Sequence, residues 1–336
     1  MKKIPIGIIG VSGYTGLELI KLLISHPIFE IAYLGGSEEN QDLASLHPAL
    51  SSVLHTRVKK SHCQEIASKC ELVFLALPHK SAMEYAKILL KEGIKIIDLS
   101  ADYRLNRENY EKYYCPHLDA ENLSQAVYGL PEWNTPQIIQ ASLIANPGCY
   151  PTATLLGILP FISHLQADSL FVDAKSGVSG AGKNLSPTSH YSRINENLFA
   201  YAPLEHRHQI EIEEKISFFG KVNLQVNFVP HLCPFTRGMI VSIYAKLKHP
   251  IDPFEILQQT YQDHPFIRIR QTPPEVKNVS GTHFCDIFAK TMGKDLFVSS
   301  GIDNLLRGAS SQALLNANLM CHLPQDMGIP KIAYVP

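Results

Sequence analysis

Short apolar runs, each closed by glycine or a polar turn, dominate the first third of the chain. Ile4 to Gly10 is one such run, and Thr15 to Ser25 follows it with Leu17, Ile20, Leu23 and Ile24 at helical spacing. Glu30–Leu34, Leu72–Leu77 and Ile94–Leu99 read as further strands, with a helix at Ser81–Lys91 between the last two. Strands that are apolar at nearly every position are buried on both faces. This alternation therefore predicts a parallel sheet wrapped by helices. After the Asn146–Pro151 turn the pattern changes. A helix is expected at Thr152–Phe161, and Val222–Val229 and Gly238–Leu247 alternate like strands of a more antiparallel region. The tail from Asp303 to His322 places Leu306, Ala309, Ala313, Ala317 and Met320 at helical spacing, with Asp303 as the expected N-cap.

Composition narrows the class. The 336 residues suffice for about two domains, and 45% hydrophobic with 18% charged residues excludes a disordered chain, a coiled coil and a collagen-like repeat. Thirty Lys+Arg against 31 Asp+Glu leave a net charge of −1, so no electrostatic footprint for nucleic acid is visible. The stretch from Trp133 to Ala167 is free of Asp, Glu, Lys and Arg, but Pro136, Pro147, Pro151 and Pro160 interrupt it, so no membrane span is expected. The opening residues are too soon punctuated by Gly7 to read as a signal peptide. Seven dispersed cysteines without a C-x-x-C pair suggest reduced thiols in the cytoplasm.

Two constellations carry chemistry. Gly10, Ser12, Gly13, Tyr14, Thr15 and Gly16 lie where the first strand turns into the first helix. Glycines there let the backbone approach a phosphate held by the helix N-terminus. The spacing is G-x-x-G-x-x-G rather than G-x-G-x-x-G, and a tight turn needing small residues is the competing reading. The second strand is followed by Gly35, Gly36 and Ser37, with no acid before Glu38 to take a ribose 2′-hydroxyl. That absence leans towards NADP(H).

The second constellation centres on Cys149, in Asn146-Pro147-Gly148-Cys149-Tyr150-Pro151 directly ahead of an apolar helix. A thiol at a helix N-terminus is favoured as thiolate, and the free N–H groups there can hold an oxyanion. The other six cysteines read as small buried hydrophobes. His206-Arg207-His208 with Glu211 supplies a proton manager: His208 and Glu211 are one helical turn apart, so Glu211 is expected to orient the ring. Which histidine reaches the sulfur stays open, and no metal-ligand spacing is present. Candidate cations for an anionic substrate are Arg104, at the end of a buried strand, Lys175 and Lys183 bracketing the Gly177–Gly182 loop, Arg237 and Arg207. The Ser176–Lys183 loop either closes over a phosphate or simply turns.

These motifs resemble the N-acetyl-gamma-glutamyl-phosphate reductases, arginine-pathway relatives of the aspartate-semialdehyde dehydrogenases. The resemblance runs through Gly10–Gly16, Leu75-Ala76-Leu77-Pro78-His79, Asp98–Arg104 and Tyr128–Glu132. It continues through Asn146–Ala153, Asp173–Gly182, Asn195-Glu196-Asn197, His206–His208, Pro230-His231-Leu232, Arg237-Gly238 and Ile302–Leu305. It implies a Rossmann-like dinucleotide-binding domain at 1–148, completed by a C-terminal helix at 303–336. An α+β substrate and dimerisation domain with a mixed or antiparallel sheet at 149–302 is implied with it.

Also implied are NADP(H), a Cys149 nucleophile forming a thioester, His208 as acid–base residue, and His206, Arg104, Lys175 and Arg237 towards the substrate. Pro78, Ser37, Ser176, Gly177 and Asn304 fall towards the cofactor, and a homodimer or homotetramer is expected. Two departures stand out. Relatives often carry Arg or Ser-Arg after the second strand, where this chain has Gly36-Ser37-Glu38. Pro203-Leu204-Glu205 stands before the His pair, where relatives often show small, glycine-rich residues. Competing readings are a carrier-linked aminoadipyl- or glutamyl-phosphate reductase, an aspartate-semialdehyde dehydrogenase, and a nucleotide-sensing protein without activity.

Overall fold

The structure, a computed structural model, describes residues 2–166 and 168–335. They form two compact units, one running to Pro147 and resumed at Ala309–Ile329, the other comprising Gly148–Gly308 and the segment from Pro330. The sequence reading had joined 303–336 whole to the first unit. Instead, His283 N donates to Pro330 O and Tyr334 N to Ser280 O, so the final segment packs with the second.

The first unit is built on β1 (Ile4–Ile9), β2 (Phe29–Gly36), β3 (Gln41–Asp42), β4 (Arg57–Lys60), β5 (Leu72–Leu75), β6 (Lys95–Asp98), β7 (Val127–Tyr128) and β8 (Leu143–Ala145). They form one sheet in the order β3-β4-β2-β1-β5-β6-β8-β7, parallel except between β3 and β4. Ile6, Ile8, Ile9 and the whole of β5 are buried, each such side chain contributing about 2 kcal/mol by leaving water. The short strands β3, β4 and β7 left no hydrophobic run in the sequence. The helix Tyr14–Leu23 buries Leu19, Ile20 and Leu23, whereas Leu17 and Ile24, expected on its inner face, are only half-buried. A second helix, Ser311–Met320, packs on it and shifts the buried face.

The expected helix at 303–322 is two pieces, a π-helical turn Leu306–Ser310 and then Ser311–Met320. Asp303 does cap, its Oδ1 accepting from Leu305 N and Leu306 N at 2.9 and 3.0 Å, but at the start of the π turn. The helix Ser311–Met320 is buried all round, polar residues included. Gln312 and Asn316 donate to Gly129 O, and Asn316 to Asn146 Oδ1, which satisfies groups that would otherwise be costly to bury.

The second unit contains β9 (Ser169–Gly177), β10 (Phe199–Ala200), β11 (Gln225–Cys233), β12 (Met239–Lys246), β13 (Ile267–Ile269), β14 (Cys285–Met292) and β15 (Asp295–Ile302). Their order is β10-β11-β9-β12-β15-β14-β13, with parallel pairing only at β11–β9 and β14–β13, a mixed sheet. Val172, Phe228, Ile243 and Val298 point to one face. The helix Cys149–Ile158 lies on that face, its Ala153 O accepting from Ser300 Oγ at 2.6 Å. The other face carries Phe171 and Tyr244, 60% and 51% exposed.

Between β1 and β5 the connections run to opposite sides of the first sheet, the switch point where open α/β sheets leave a crevice. Gly10 stands there with φ +92°, and a Cβ on it would lie 2.2 Å from Ala76 O. Gly13, by contrast, has open space, the nearest atom being 3.8 Å away. Gly10→Ala should therefore lose at least about 2 kcal/mol in urea unfolding, from clash plus left-handed strain. Gly13→Ala should lose only about 1 kcal/mol, the difference between glycine and alanine as an N-cap.

Candidate active site

In the first unit the glycine loop has the form of a phosphate cradle. Gly16 also excludes a side chain, since a Cβ would meet Gly10 O at 2.4 Å. The helix Tyr14–Leu23 begins with neither a side-chain cap nor an acid in its first turn. Its leading amides and positive dipole end are thus left for an anion. These residues fit the pyrophosphate of a dinucleotide. Ser37 directly follows β2, and β4 sets Lys60 opposite Gly36.

Arg104 is buried behind β6. Its Nε donates to Asn146 O at 2.7 Å and its Nη2 to Leu99 O at 2.8 Å. Asp98 is wholly buried nearby, and burial first, Asp102 second, push its carboxyl up to about 7.

In the second unit Cys149 is the first residue of its helix, with Gly148 as an extended N-cap. Two contacts hold this start. Glu211, only 1% exposed, accepts Gly148 N–H on Oε1 at 3.0 Å, and Thr152 Oγ1 donates to Gly148 O at 2.8 Å. Glu211 thus braces the backbone just ahead of Cys149, a contact that the expectation of its orienting His208 does not contain. Gly308 lets the chain pass tightly, since a Cβ there would stand 2.5 Å from Cys149 Cβ.

Around this start the rings interlock. Tyr150 packs edge-on against His206, His208 and Phe228, with centroids 5.1–5.8 Å apart, and the two histidine rings are 4.8 Å apart. His208 N donates to His206 Nδ1 at 3.1 Å, so the proton of neutral His206 sits on Nε2. Burial first, Arg207 second, push His206 down to about 4. So weak a base is poorly matched to taking up a proton near neutral pH, and His208 is the remaining acid–base candidate of the pair. Tyr201, absent from the sequence reading, joins the cluster through its hydroxyl, 3.1 Å from that of Tyr150. Its only signal in the sequence was nearness to the His pair.

The remaining candidates are placed as follows. Asn304 receives Gly238 N–H on Oδ1 at 2.7 Å and donates from Nδ2 to Ser179 Oγ at 3.0 Å. A Cβ on Gly180 would lie 3.0 Å from Ser176 Oγ, so Ser176, Gly177, the Ser179 loop and Asn304 are gathered together. That loop is a turn rather than a set of amides waiting for a phosphate. The N–H groups of Gly177, Val178, Ser179 and Gly182 already donate to the carbonyls of Gly238, Phe235, Thr236 and Ser179.

Two cations are engaged elsewhere. Arg237 Nε lies 2.9 Å from Asp303 Oδ2, and its guanidinium stacks on Tyr334 at 5.6 Å. Lys175 is paired with Asp173, which also meets His231 at 3.1 Å. Strand alternation puts Lys175 on the sheet face opposite the Cys149 helix, because its neighbours Ala174 and Ser176 are the buried ones.

A parallel-sheet unit with a glycine loop, and a second unit in which a cysteine opens a buried helix near two histidines, are features of an α/β oxidoreductase. The family model described as "Semialdehyde dehydrogenase, NAD binding domain" matches residues 5–141, and "Semialdehyde dehydrogenase, dimerisation domain" matches 149–304. Aspartate semialdehyde dehydrogenase II from Vibrio cholerae, solved as a complex with ASA, superposes with a TM-score of 0.75 at 16% identity, covering 96% of this chain and 99% of that one. The aspartate semialdehyde dehydrogenase from Candida albicans, solved with NADP, gives 0.73 at 14% identity, covering 95% and 99%.

Among curated relatives, N-acetyl-gamma-glutamyl-phosphate reductase from Wolinella succinogenes is 62% identical over 337 residues, covering all of both chains. The protein of that name from Sulfurovum sp. is 55% identical, covering 99% of this chain and all of the relative. The chain belongs to the N-acetyl-gamma-glutamyl-phosphate reductase family, a family of oxidoreductases.

The depressed His206 has a consequence for stability. Its folded pKa of about 4 lies below the unfolded 6.5, so the unfolded chain binds more protons between these values. The contribution is complete above pH 6.5 and is lost as pH falls through 4. The difference between the stability–pH curves of wild type and His206→Gln should open over that window and reach about 3 kcal/mol, as read by urea unfolding at each pH.

Proposed function

We propose that this chain reduces N-acetyl-L-glutamyl 5-phosphate to N-acetyl-L-glutamate 5-semialdehyde and phosphate with NADPH, in arginine biosynthesis. The observation that carries the reading is end-to-end identity of 62% to a relative of that name, with Cys149 placed at the start of a buried helix. Cys149 Sγ attacks the acyl carbon of the acyl phosphate. The C–S bond forms as the bond from carbon to the phosphate oxygen breaks, leaving a thioester and free phosphate. His208 takes the thiol proton in this step, lends it to the thiohemiacetal oxygen, and takes it back as the C–S bond breaks and the aldehyde leaves. The amides of Cys149 and Tyr150, at the first positions of the helix, steady the negative oxygen. Glu211 keeps Gly148, and with it this helix start, in place.

NADPH, when bound, supplies the hydride. Its proposed contacts are Gly10, Ser12, Gly13, Tyr14, Thr15, Gly16, Ser37 and Pro78 of the first unit and Ser176, Gly177 and Asn304 of the second. The choice of NADP(H) is supported by the lack of an acid at the end of β2 and by Lys60 alongside it. Arg104 and His206 are the proposed substrate contacts. Arg237 is a weaker choice because Asp303 holds it, and Lys175 is not offered because of the face it occupies.

We further propose a homodimer formed through the sheet face that carries Phe171, Tyr244 and Phe297, in keeping with the dimerisation-domain match. A cytoplasmic location is supported by seven free thiols. Among the described residues no helix is long and apolar enough to cross a membrane.

Offered N-acetyl-glutamate 5-semialdehyde, phosphate and NADP, the wild type should form reduced nicotinamide in a phosphate-dependent way. Cys149→Ser should lose at least about 10³-fold in kcat with unchanged thermal unfolding. Turnover of aspartate semialdehyde instead would move the substrate, and an active Cys149→Ser would remove the thioester route. For the dimer, light scattering should give twice the chain mass, falling to one chain mass in the double variant Phe171→Glu, Tyr244→Glu. A wild-type monomer would sink the interface.

A further inference from the structure

The end of β2 has no room for a side chain. A Cβ on Gly35 would lie 2.4 Å from Ser61 Oγ, and one on Gly36 would lie 2.9 Å from Val58 Cγ1. Both obstacles come from β4 and the residue after it. A carboxylate at this point, where dinucleotide-binding units take the ribose 2′-hydroxyl, is thus excluded by volume. A side chain for the ribose has to come from Ser37 onward or from β4.

β4 supplies a cation. It runs parallel to β2 with Gly35 beside Lys59 and Gly36 beside Lys60, so the two strands end together. Gly35 O also accepts Gly10 N–H at 2.9 Å, which ties this corner to the glycine loop. Lys59 is engaged by Glu65 of the helix Cys63–Lys69. Strand alternation sends Lys60 to the opposite face, where it is exposed. Its N–H donates to Glu39 Oε2 at 3.3 Å and its carbonyl accepts from Tyr33 Oη at 2.9 Å. Among the described residues Lys60 Nζ has no partner. Arg57, three residues back on the same strand, donates to Asn40 O at 3.2 Å. At roughly 3.3 Å per residue it stands about 10 Å short of the strand end.

We propose that Lys60 is the residue that selects NADP(H) over NAD(H), its Nζ holding the 2′-phosphate. Like other phosphate monoesters, that group carries close to about two negative charges at neutral pH, and an ammonium can donate to several of its oxygens. NAD(H) has a hydroxyl in its place and gains little from a cation. Lys60 therefore separates the cofactors by attraction, at a corner where two glycines exclude the carboxylate that would favour the other one. The proposal rests on the reading of NADP(H) as the cofactor, and its test separates the two.

Binding is measured without turnover, by calorimetric titration of the protein with NADP and with NAD. The wild type should hold NADP the more tightly. Lys60→Met should weaken NADP about 10-fold, the scale of one charge-assisted contact, and NAD by less than about twofold. Lys60→Arg, which keeps the charge, should restore most of the NADP affinity. Arg57→Met removes an equal charge about a Debye length away and should leave the ratio of the two affinities within about twofold. Both side chains are exposed, so thermal unfolding of each variant should match the wild type.

An unchanged ratio in Lys60→Met would overturn the proposal. So would an equal loss for both cofactors, which would make Lys60 structural. A loss in Arg57→Met as large as in Lys60→Met would also overturn it, by assigning the effect to the general field of the strand. A wild type that binds NAD as tightly as NADP would instead remove the cofactor reading on which the proposal stands.

Discussion

A carboxylate that is almost wholly buried must find donors, and Glu211 finds one in the amide of Gly148. This contact joins the start of one helix to the first turn of another and sets where Cys149 stands. With Thr152 Oγ1 taking Gly148 O, both polar groups of the N-cap residue are engaged. The helix that follows is buried along nearly its whole length on the sheet face of Ile243 and Val298. A thiol mounted on an element this constrained has little freedom, as the proposed nucleophile and oxyanion site would require. The close passage of Gly308 against Cys149 adds to that constraint, because nothing larger than hydrogen fits between the two stretches of chain.

The first unit depends on a comparable exclusion of volume. At the switch point β1 and β5 approach so closely that Gly10 cannot carry a side chain, and the same crowding between Gly10 O and Gly16 brings the helix down on the loop. A tight glycine turn and close helix–strand packing are thus consequences of one steric requirement. The departure from the G-x-G-x-x-G spacing does not remove it, because the close contacts fall at Gly10 and Gly16 whereas Gly13 has room.

Polar residues away from the thiol divide between chemistry and architecture. Arg237, a candidate for the substrate in the sequence, is held by Asp303, which also caps the π turn and accepts Gly281 N–H at 2.7 Å. The final segment lays Tyr334 over Gly281 and beside Arg237. These residues fasten the chain just before Gly308, which passes tightly against Cys149. His206 belongs to both groups, since its burial makes it a hydrogen-bond acceptor for His208 and a liability to the fold in acid.

The order of apolar runs, the change from a parallel sheet to a more antiparallel region near residue 147, the glycine loop and the place of Cys149 ahead of an apolar helix all followed from local spacing. Periodicity and turn chemistry are properties of neighbouring residues, so a sequence carries them openly. The tertiary structure alone decided the contacts that bridge distant positions. Glu211 meets Gly148 across 63 residues and Tyr150 meets Tyr201 across 51. No spacing rule links such pairs. The face of Lys175 was also decided there, because a one-residue change in strand phase sends a side chain to the opposite side of a sheet. The division of the C-terminal segment into a π turn and a helix has the same origin, since Asp303 answers to Arg237 and Gly281 as well as to its own helix.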